Sequence, residues 1–237
     1  SPFLGIYTAC ATSIEGLLIG AAFIDGGKID NCIAATSSHN MSSEKQFRNP
    51  TEYGSPKPKT ATFTATGGAS ILLSNKPSRI RVVNGTIGTV IDYDQHDPFH
   101  MGATMAPAAA DTLYKYFRDT KTTPNDFDII LTGDLGIYGK EILKDLLKSD
   151  HRIELGDQYN DCGVMLYDLK TQQEVLAGGS GPVCSALVNY STIIKGLEDG
   201  TYKKVLLVAT GALFSPTFLY QKQPILSIAH AICLEAI

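Results

Sequence analysis

A cysteine placed where a strand gives way to a helix is a candidate nucleophile, because the unpaired N–H groups and the dipole at a helix start favour the thiolate. Cys10 has that placement. A short strand-like stretch, Leu4 to Tyr7, precedes it, and a helix is expected to begin near Thr12 or Ser13. Plain packing is an equal alternative, since free cysteine commonly serves as a small buried hydrophobe. A working thiol also needs a base, usually an imidazole. Of the five histidines, His39 closes the strand of ATSSHN and could share a face with Cys10, or be a solvated loop residue. His96 and His100 flank Asp97-Pro98-Phe99 as turn residues, and His151 reads as loop. His230, within SIAHAICLE, reads as a satisfied core imidazole. Asp134 follows Thr132-Gly133 at the end of the strand FDIIL, where either a functional carboxylate or a helix cap would stand. Asp161-Cys162-Gly163 has no second Cys or His at ligand spacing, so no metal site is expected there. The runs 178–181 and 210–213 offer backbone N–H nests for an anion. Neither matches a dinucleotide or P-loop fingerprint, and no cofactor is expected.

The elements that must position these residues repeat. The stretch from Cys10 to Ser37 superposes without insertion on Cys184 to Gly211, so that Cys10 falls on Cys184 and Asp25-Gly26 on Asp199-Gly200. Each copy reads as a small-residue turn, a helix, an Asp-Gly stop and an apolar strand: Asn31 to Thr36 in the first copy, Lys204 to Thr210 in the second. Both strands have the continuous apolar character of strands buried on both faces of a parallel sheet. Ahead of Cys184 the pattern predicts a strand at Phe127 to Leu131, a helix at Lys140 to Lys148, and strands at Val164 to Asp168 and Glu174 to Ala177. Only nine residues precede Cys10, so a duplicated architecture would lack its opening βαβ portion in the first half, and a truncated chain is expected. The halves would divide as 1–92 and 93–237. Between the repeats, Ala61 to Thr66, Ser70 to Leu73, Ile80 to Val83 and Thr86 to Ile91 read as strands. Met105 to Phe117 reads as a helix with Pro107 in its first turn. The polar segment Met41 to Lys59 reads as a surface excursion or a subunit contact.

Composition excludes several classes. With 43% hydrophobic and 19% charged residues in 237, the chain is neither disordered nor fibrous. Lys plus Arg number 20 against 24 Asp plus Glu, so the net charge of -4 gives no reason to expect nucleic acid or an anionic membrane as main partner. No apolar run is long enough to cross a bilayer, and five cysteines without framework spacing suggest a reducing compartment.

These residues together resemble the thiolase and β-ketoacyl synthase superfamily, whose fold is a duplicated βαβαβαββ unit in α/β/α/β/α layers with a nucleophilic Cys at a helix N-terminus. The strings ATSSHN, QFRNPTEYG, DPFHMGATMAPAAADT, TGDLG, NDCG, GGSG and VATGALFSPT are similar, more narrowly, to a family of stage V sporulation proteins of endospore-forming bacteria. The chain departs from the condensing enzymes where it counts. The resemblance places a catalytic His at the position of Gly133 or Asp134, and a second His or Asn in the turn Gly178 to Ser180, and neither is present. Only Cys10 remains as nucleophile equivalent, so Claisen chemistry would lose its proton handling. The resemblance therefore implies a non-catalytic protein that binds dipicolinic acid, possibly with calcium, during uptake into the developing spore. It would be a homodimer in the forespore cytoplasm, peripheral to the inner membrane and working with other SpoVA membrane proteins. Expected ligand contacts are Cys10, His39, Gly133, Asp134, Ser180, Gly181 and Ala212, with Phe99 and Met101 as an apolar wall. The alternative is a condensing or acyl-transfer enzyme with Cys10 as nucleophile and His39 or His230 as base.

Overall fold

The computed structural model describes residues 2–41 and 57–237. Most of the polar excursion at 41–59 lies outside the described residues. The chain builds one five-stranded sheet and a separate antiparallel pair, with helices between and outside them.

Helix α1 (Thr12–Asp25) forms where expected and buries Ile14 and Leu17. It stops because Gly27 takes a left-handed φ of 64° and Lys28 N–H reaches back to Phe23 O at 2.9 Å. Strand β1 (Asn31–Ser38) then pairs antiparallel with β3 (Gly67–Ser74), after the two-residue β2 (Phe63–Thr64). This corrects the expectation of a strand buried on both faces. Only one face of the pair packs on α1; on the other, Ile33 and Leu72 are 69% and 64% exposed.

The larger sheet has the order β4-β9-β8-β5-β6, comprising β4 (Ile80–Thr86), β9 (Ser227–Ala236), β8 (Lys204–Ala212), β5 (Ile129–Thr132) and β6 (Tyr159–Asp161). Strand β5 runs parallel to β6 and β8, and β9 runs antiparallel to both β8 and β4. Alternate residues of β8 serve two cores. Leu206, Val208 and Ala212 pack with Met105, Leu113 and Tyr116 of α2 (Met101–Thr120) and with Leu143 and Leu147 of α3 (Gly136–His151). Val205, Leu207 and Ala209 pack on the other face with Ala11, Ile14 and Leu17. This is the period-2 division of a strand buried on both sides.

The second repeat helix is α5 (Cys184–Val188), a π turn at Asn189–Ile193, and α6 (Ile194–Glu198). It lies beside α1, with Ser13 Oγ and Ser185 Oγ 2.8 Å apart and Tyr190 OH donating to Ser13 O. A helix, a strand and an antiparallel strand thus occur twice, and the two helices form the central layer.

Further expectations change. Leu4 to Tyr7 forms no strand, and the strand expected at Thr86 to Ile91 is absent past Thr86, where β4 ends, apart from a single bridge from Ile91 to Ser227. Helix α2 starts at Met101, so Pro107 is not in its first turn: His100 caps it by accepting Ala103 N–H, and burial on every side from Thr104 to Ala110 holds the helix through the proline. Residues 162–165 form a short helix, α4 (Cys162–Met165), because Asp161 accepts Val164 N–H and turns the chain out of β6. The stretch Glu174 to Ala177 holds a 3-10 turn, not a strand, before β7 (Gly179–Ser180).

Candidate functional site

Cys10 is 3% exposed, in a turn whose preceding residue, Ala9, has a φ of 52°. A non-glycine residue in that region stores strain, which the surroundings must hold in place. They do so closely. Ala11 and Thr12 donate their N–H groups to Thr8 O and Ala9 O, Thr12 Oγ1 accepts Thr8 N–H, and Thr8 Oγ1 donates to Glu15. From the far side β8 presses in at Gly211. A Cβ there would stand 3.0 Å from Ala11 N and 3.3 Å from Cys10 N and would collide with Thr8 O. Gly211→Ala should therefore shift the turn, with a loss of about 1–3 kcal/mol from overpacking. Denaturant unfolding checks the stability, and the reaction of Cys10 with a thiol reagent checks the displacement.

The repeat supplies a second thiol at the matching place. Cys184 is fully buried and its Sγ contacts Gly133 O at 3.8 Å. Burial first, then the nearby Asp134 carboxylate, pushes its pKa well up, so it stays protonated and inert. The same causes, with Asp161 the nearer carboxylate, hold Cys162 protonated.

Asp134, 1% exposed, ties three strand ends together. Its Oδ2 accepts Ser180 Oγ–H at 2.6 Å and Gly181 N–H at 3.1 Å, and its Oδ1 accepts Thr210 Oγ–H at 2.8 Å. The residues come from the ends of β5, β7 and β8. Gly133 fits beneath β8 because a Cβ would meet Thr210 N at 2.9 Å. The Gly181 N–H, expected as a donor to an anion, is thus given to Asp134. A carboxylate so engaged is a poor general base for Cys10.

The sequence assigns Asp161 no role beyond a run without metal-ligand spacing, and the structure gives it a larger part. It is completely buried, and it accepts from Thr132 Oγ1, Leu135 N, Gly136 N and Val164 N at 2.7 to 3.3 Å. Burial raises its pKa to about 6 against these donors, with Asp134 adding to the rise. Thr132 and Thr210, each ending an apolar strand with a buried hydroxyl, were the available signal for both carboxylate sites.

The other expected residues separate. His39 lies one residue past β1, exposed, with Nδ1 accepting Met41 N–H. It stands at the same end as Ser38, whose hydroxyl bonds Ala65 O and Val183 N–H near the Gly181 turn. Met101 and Ala212 belong to the core between α2 and the sheet, the face opposite α1, so Met101 does not pack with the residues around Cys10. Phe99, half-buried, stands in the turn before α2, its N–H on Asp97 Oδ1. His230 takes the N–H of Gly88 on Nδ1, and its Nε2 has no hydrogen-bond partner, so no hydrogen bond joins it to Cys10. Among the described residues no group of three His, Cys, Asp or Glu side chains could hold a metal ion, and no helix is long and apolar enough to cross a membrane.

A thiol in a strained turn at the start of a central helix, between two sheets built on one repeated unit, defines a thiolase-like α/β protein. Solved structures agree on the fold. The 3-oxoacyl-[acyl-carrier-protein] synthase III of Aquifex aeolicus VF5 matches with a TM-score of 0.59 at 10% identity, over 97% of this chain and 66% of that one. The peroxisomal 3-ketoacyl-CoA thiolase of Saccharomyces cerevisiae matches at 0.56 and 15% identity, over 99% and 74%. Within this class, the chain belongs to the stage V sporulation protein AD (SpoVAD) family, whose model matches residues 1–235. It is 48% identical over 234 residues to stage V sporulation protein AD of Bacillus subtilis (strain 168), covering 99% of this chain and 68% of that protein. The chain thus spans about two thirds of the length of these relatives.

Proposed function

We propose that this chain is the core of a non-catalytic binding protein for dipicolinic acid, acting in its uptake into the developing spore beside the inner membrane with other SpoVA membrane proteins. Membership of a sporulation family supports the setting. The observation that carries the binding reading is the fate of Asp134. Where the superfamily resemblance would put an imidazole, a carboxylate stands, bonded to Ser180, Gly181 and Thr210 and so engaged in holding strand ends together. Cys10 keeps the nucleophile's turn. A fold that gives up its acid–base machinery can still bind a small planar acid.

Equilibrium dialysis of the full-length protein against dipicolinate should show saturable binding that Cys10→Ala weakens. Absence of binding by the unmodified protein rejects the proposal. Incubation with acyl-CoA followed by intact mass measurement should leave the protein unmodified; a stable acyl adduct on Cys10 would favour the condensing-enzyme reading.

A further inference from the structure

The loops at one end of the larger sheet leave aromatic rings in solvent. Ile91 pairs with Ser227 at the start of β9, level with Ala212 at the end of β8. Beyond that level, residues 92–97 stand beside the loop that follows β8 and its short helix α7 (Pro216–Tyr220). The two loops are stitched together: Ile225 donates its N–H to Gln95 O at 2.7 Å, and Gln223 donates its N–H to Phe218 O at 2.9 Å. Tyr93 and Phe218 are half exposed, and Tyr220 is 79% exposed. At the same end Tyr138, in the first turn of α3, is partly exposed and meets the His100 ring edge-on. Single exposed rings need no explanation, but several gathered from three loops at one end of a sheet have the composition of an interface.

Charge says what kind of partner fits. Asp92 and Asp94 flank Tyr93, Asp97 follows, and all three are exposed. Asp92 Oδ1 accepts Asp94 N–H and Asp97 Oδ1 accepts Phe99 N–H, so backbone bonds hold the carboxylates in place at the surface. Against them, Lys222 is the one Lys or Arg in residues 87–97 and 213–224. Tyrosine rings interleaved with carboxylates suit Lys and Arg side chains: the ring face attracts the cation, the carboxylate pairs with it, and the aliphatic stem packs on the ring. An anionic bilayer would be repelled by the same carboxylates. A second copy of this chain, with its net charge of -4, would bring like charge to an acidic surface.

We infer that this end of the sheet is a docking surface for a basic segment of another protein, with the rings of Tyr93 and Phe218 as its apolar anchors and Asp92 and Asp94 as its charged rim. Aromatic anchors supply most of the energy of such a contact, and the rim charges set its approach rate and its salt dependence. The inference needs no ligand beside Cys10 and stands apart from the dipicolinate reading.

Fluorescence polarisation of the full-length protein tests it, with a labelled peptide of Lys, Leu and Tyr as the probe and the same peptide with Glu in place of every Lys as the control. The basic peptide should bind saturably and the acidic one should not. Replacing both anchors, Tyr93→Ser with Phe218→Ser, should weaken binding about tenfold. Asp92→Asn with Asp94→Asn keeps the Oδ1 acceptor for the Asp94 N–H, so this pair should fold normally; it should weaken binding about threefold and remove most of its salt dependence. No binding of the basic peptide, equal binding of the acidic one, or undiminished binding by both variants overturns the inference. Sedimentation of the unmodified protein with vesicles of phosphatidylcholine and phosphatidylglycerol that the anchor variant loses would assign the rings to a lipid surface, and self-association lost in that variant would assign them to a second copy; either result overturns it as well. Dipicolinate binding measured on the same samples is expected to be unchanged in both variants, so failure of one reading leaves the other standing.

Discussion

Asp134→Ala should lower the stability of the protein by about 3–5 kcal/mol, the range for breaking a buried, hydrogen-bonded charge network. The Ser180 and Thr210 hydroxyls and the Gly181 N–H all lose their acceptor at once, within a region where Asp134, Ser180 and Thr210 are each 1% exposed or less. Each buried donor left unpaired costs about 1–3 kcal/mol. The hydroxyls can turn elsewhere, which keeps the sum below three full penalties. For a chain of this size the loss corresponds to a fall in Tm of about 10 °C. Ser180→Ala removes one of the three bonds and should cost only about 1 kcal/mol. The effect should reach the thiol as well. Thr210 is followed by Gly211, the residue pressed against Cys10 N, so release of the β8 end should weaken dipicolinate binding more than the stability loss alone predicts. Chemical denaturation and equilibrium dialysis on the same samples separate the two. A variant within 1 kcal/mol of the parent would show that the carboxylate does not hold the strand ends.

Several elements were legible in the sequence because local forces dictate them. Helix α1 is a run of good helix formers and strand β8 a continuous apolar run, and an Asp-Gly stop closes each repeat helix. The repeat itself survives in the structure as the pair of central helices in contact at Ser13 and Ser185. What was not legible depends on residues far apart in the chain. The role of Asp134 comes from partners 46, 47 and 76 positions away, and no local pattern announces them. Asp161 is hidden for the same reason: its carboxylate organises the start of α3 and of α4, so the stretch Val164 to Asp168, apolar enough for a strand, opens inside a helix that ends at Met165. The start of α2 is not legible in the sequence because its cap is an imidazole, His100, where Ser, Thr, Asp or Asn is the usual signal. The apolar run around His230 predicts a satisfied core imidazole, and the structure satisfies one nitrogen of two.

Asp161 should make the protein less stable at neutral pH than in mild acid, the reverse of the usual behaviour of a hydrogen-bonded carboxylate. Its folded pKa is about 6 against the ordinary 3.8. Between these values the folded state binds more protons than the unfolded chain, so stability falls as pH rises through the window and levels off above it. A rise of about two units corresponds to about 3 kcal/mol. The neighbours explain why burial prevails over four donors. Asp134 is the other carboxylate at this point, Tyr159, Cys162 and Cys184 are buried and neutral, and Lys140 spends its ammonium on Asn160 Oδ1 at 2.8 Å, leaving no cation paired with Asp161 among the described contacts. Asp161→Asn should be less stable at mildly acidic pH, because one acceptor oxygen becomes a donor facing Leu135 N–H or Gly136 N–H. Its stability should nonetheless lose most of the decline between pH 4 and 6. Urea unfolding of both proteins at closely spaced pH values measures the difference in slope, from which other titrating groups cancel. Equal slopes would mean that Asp161 is already ionised in the fold at pH 4, with its four donors outweighing its burial.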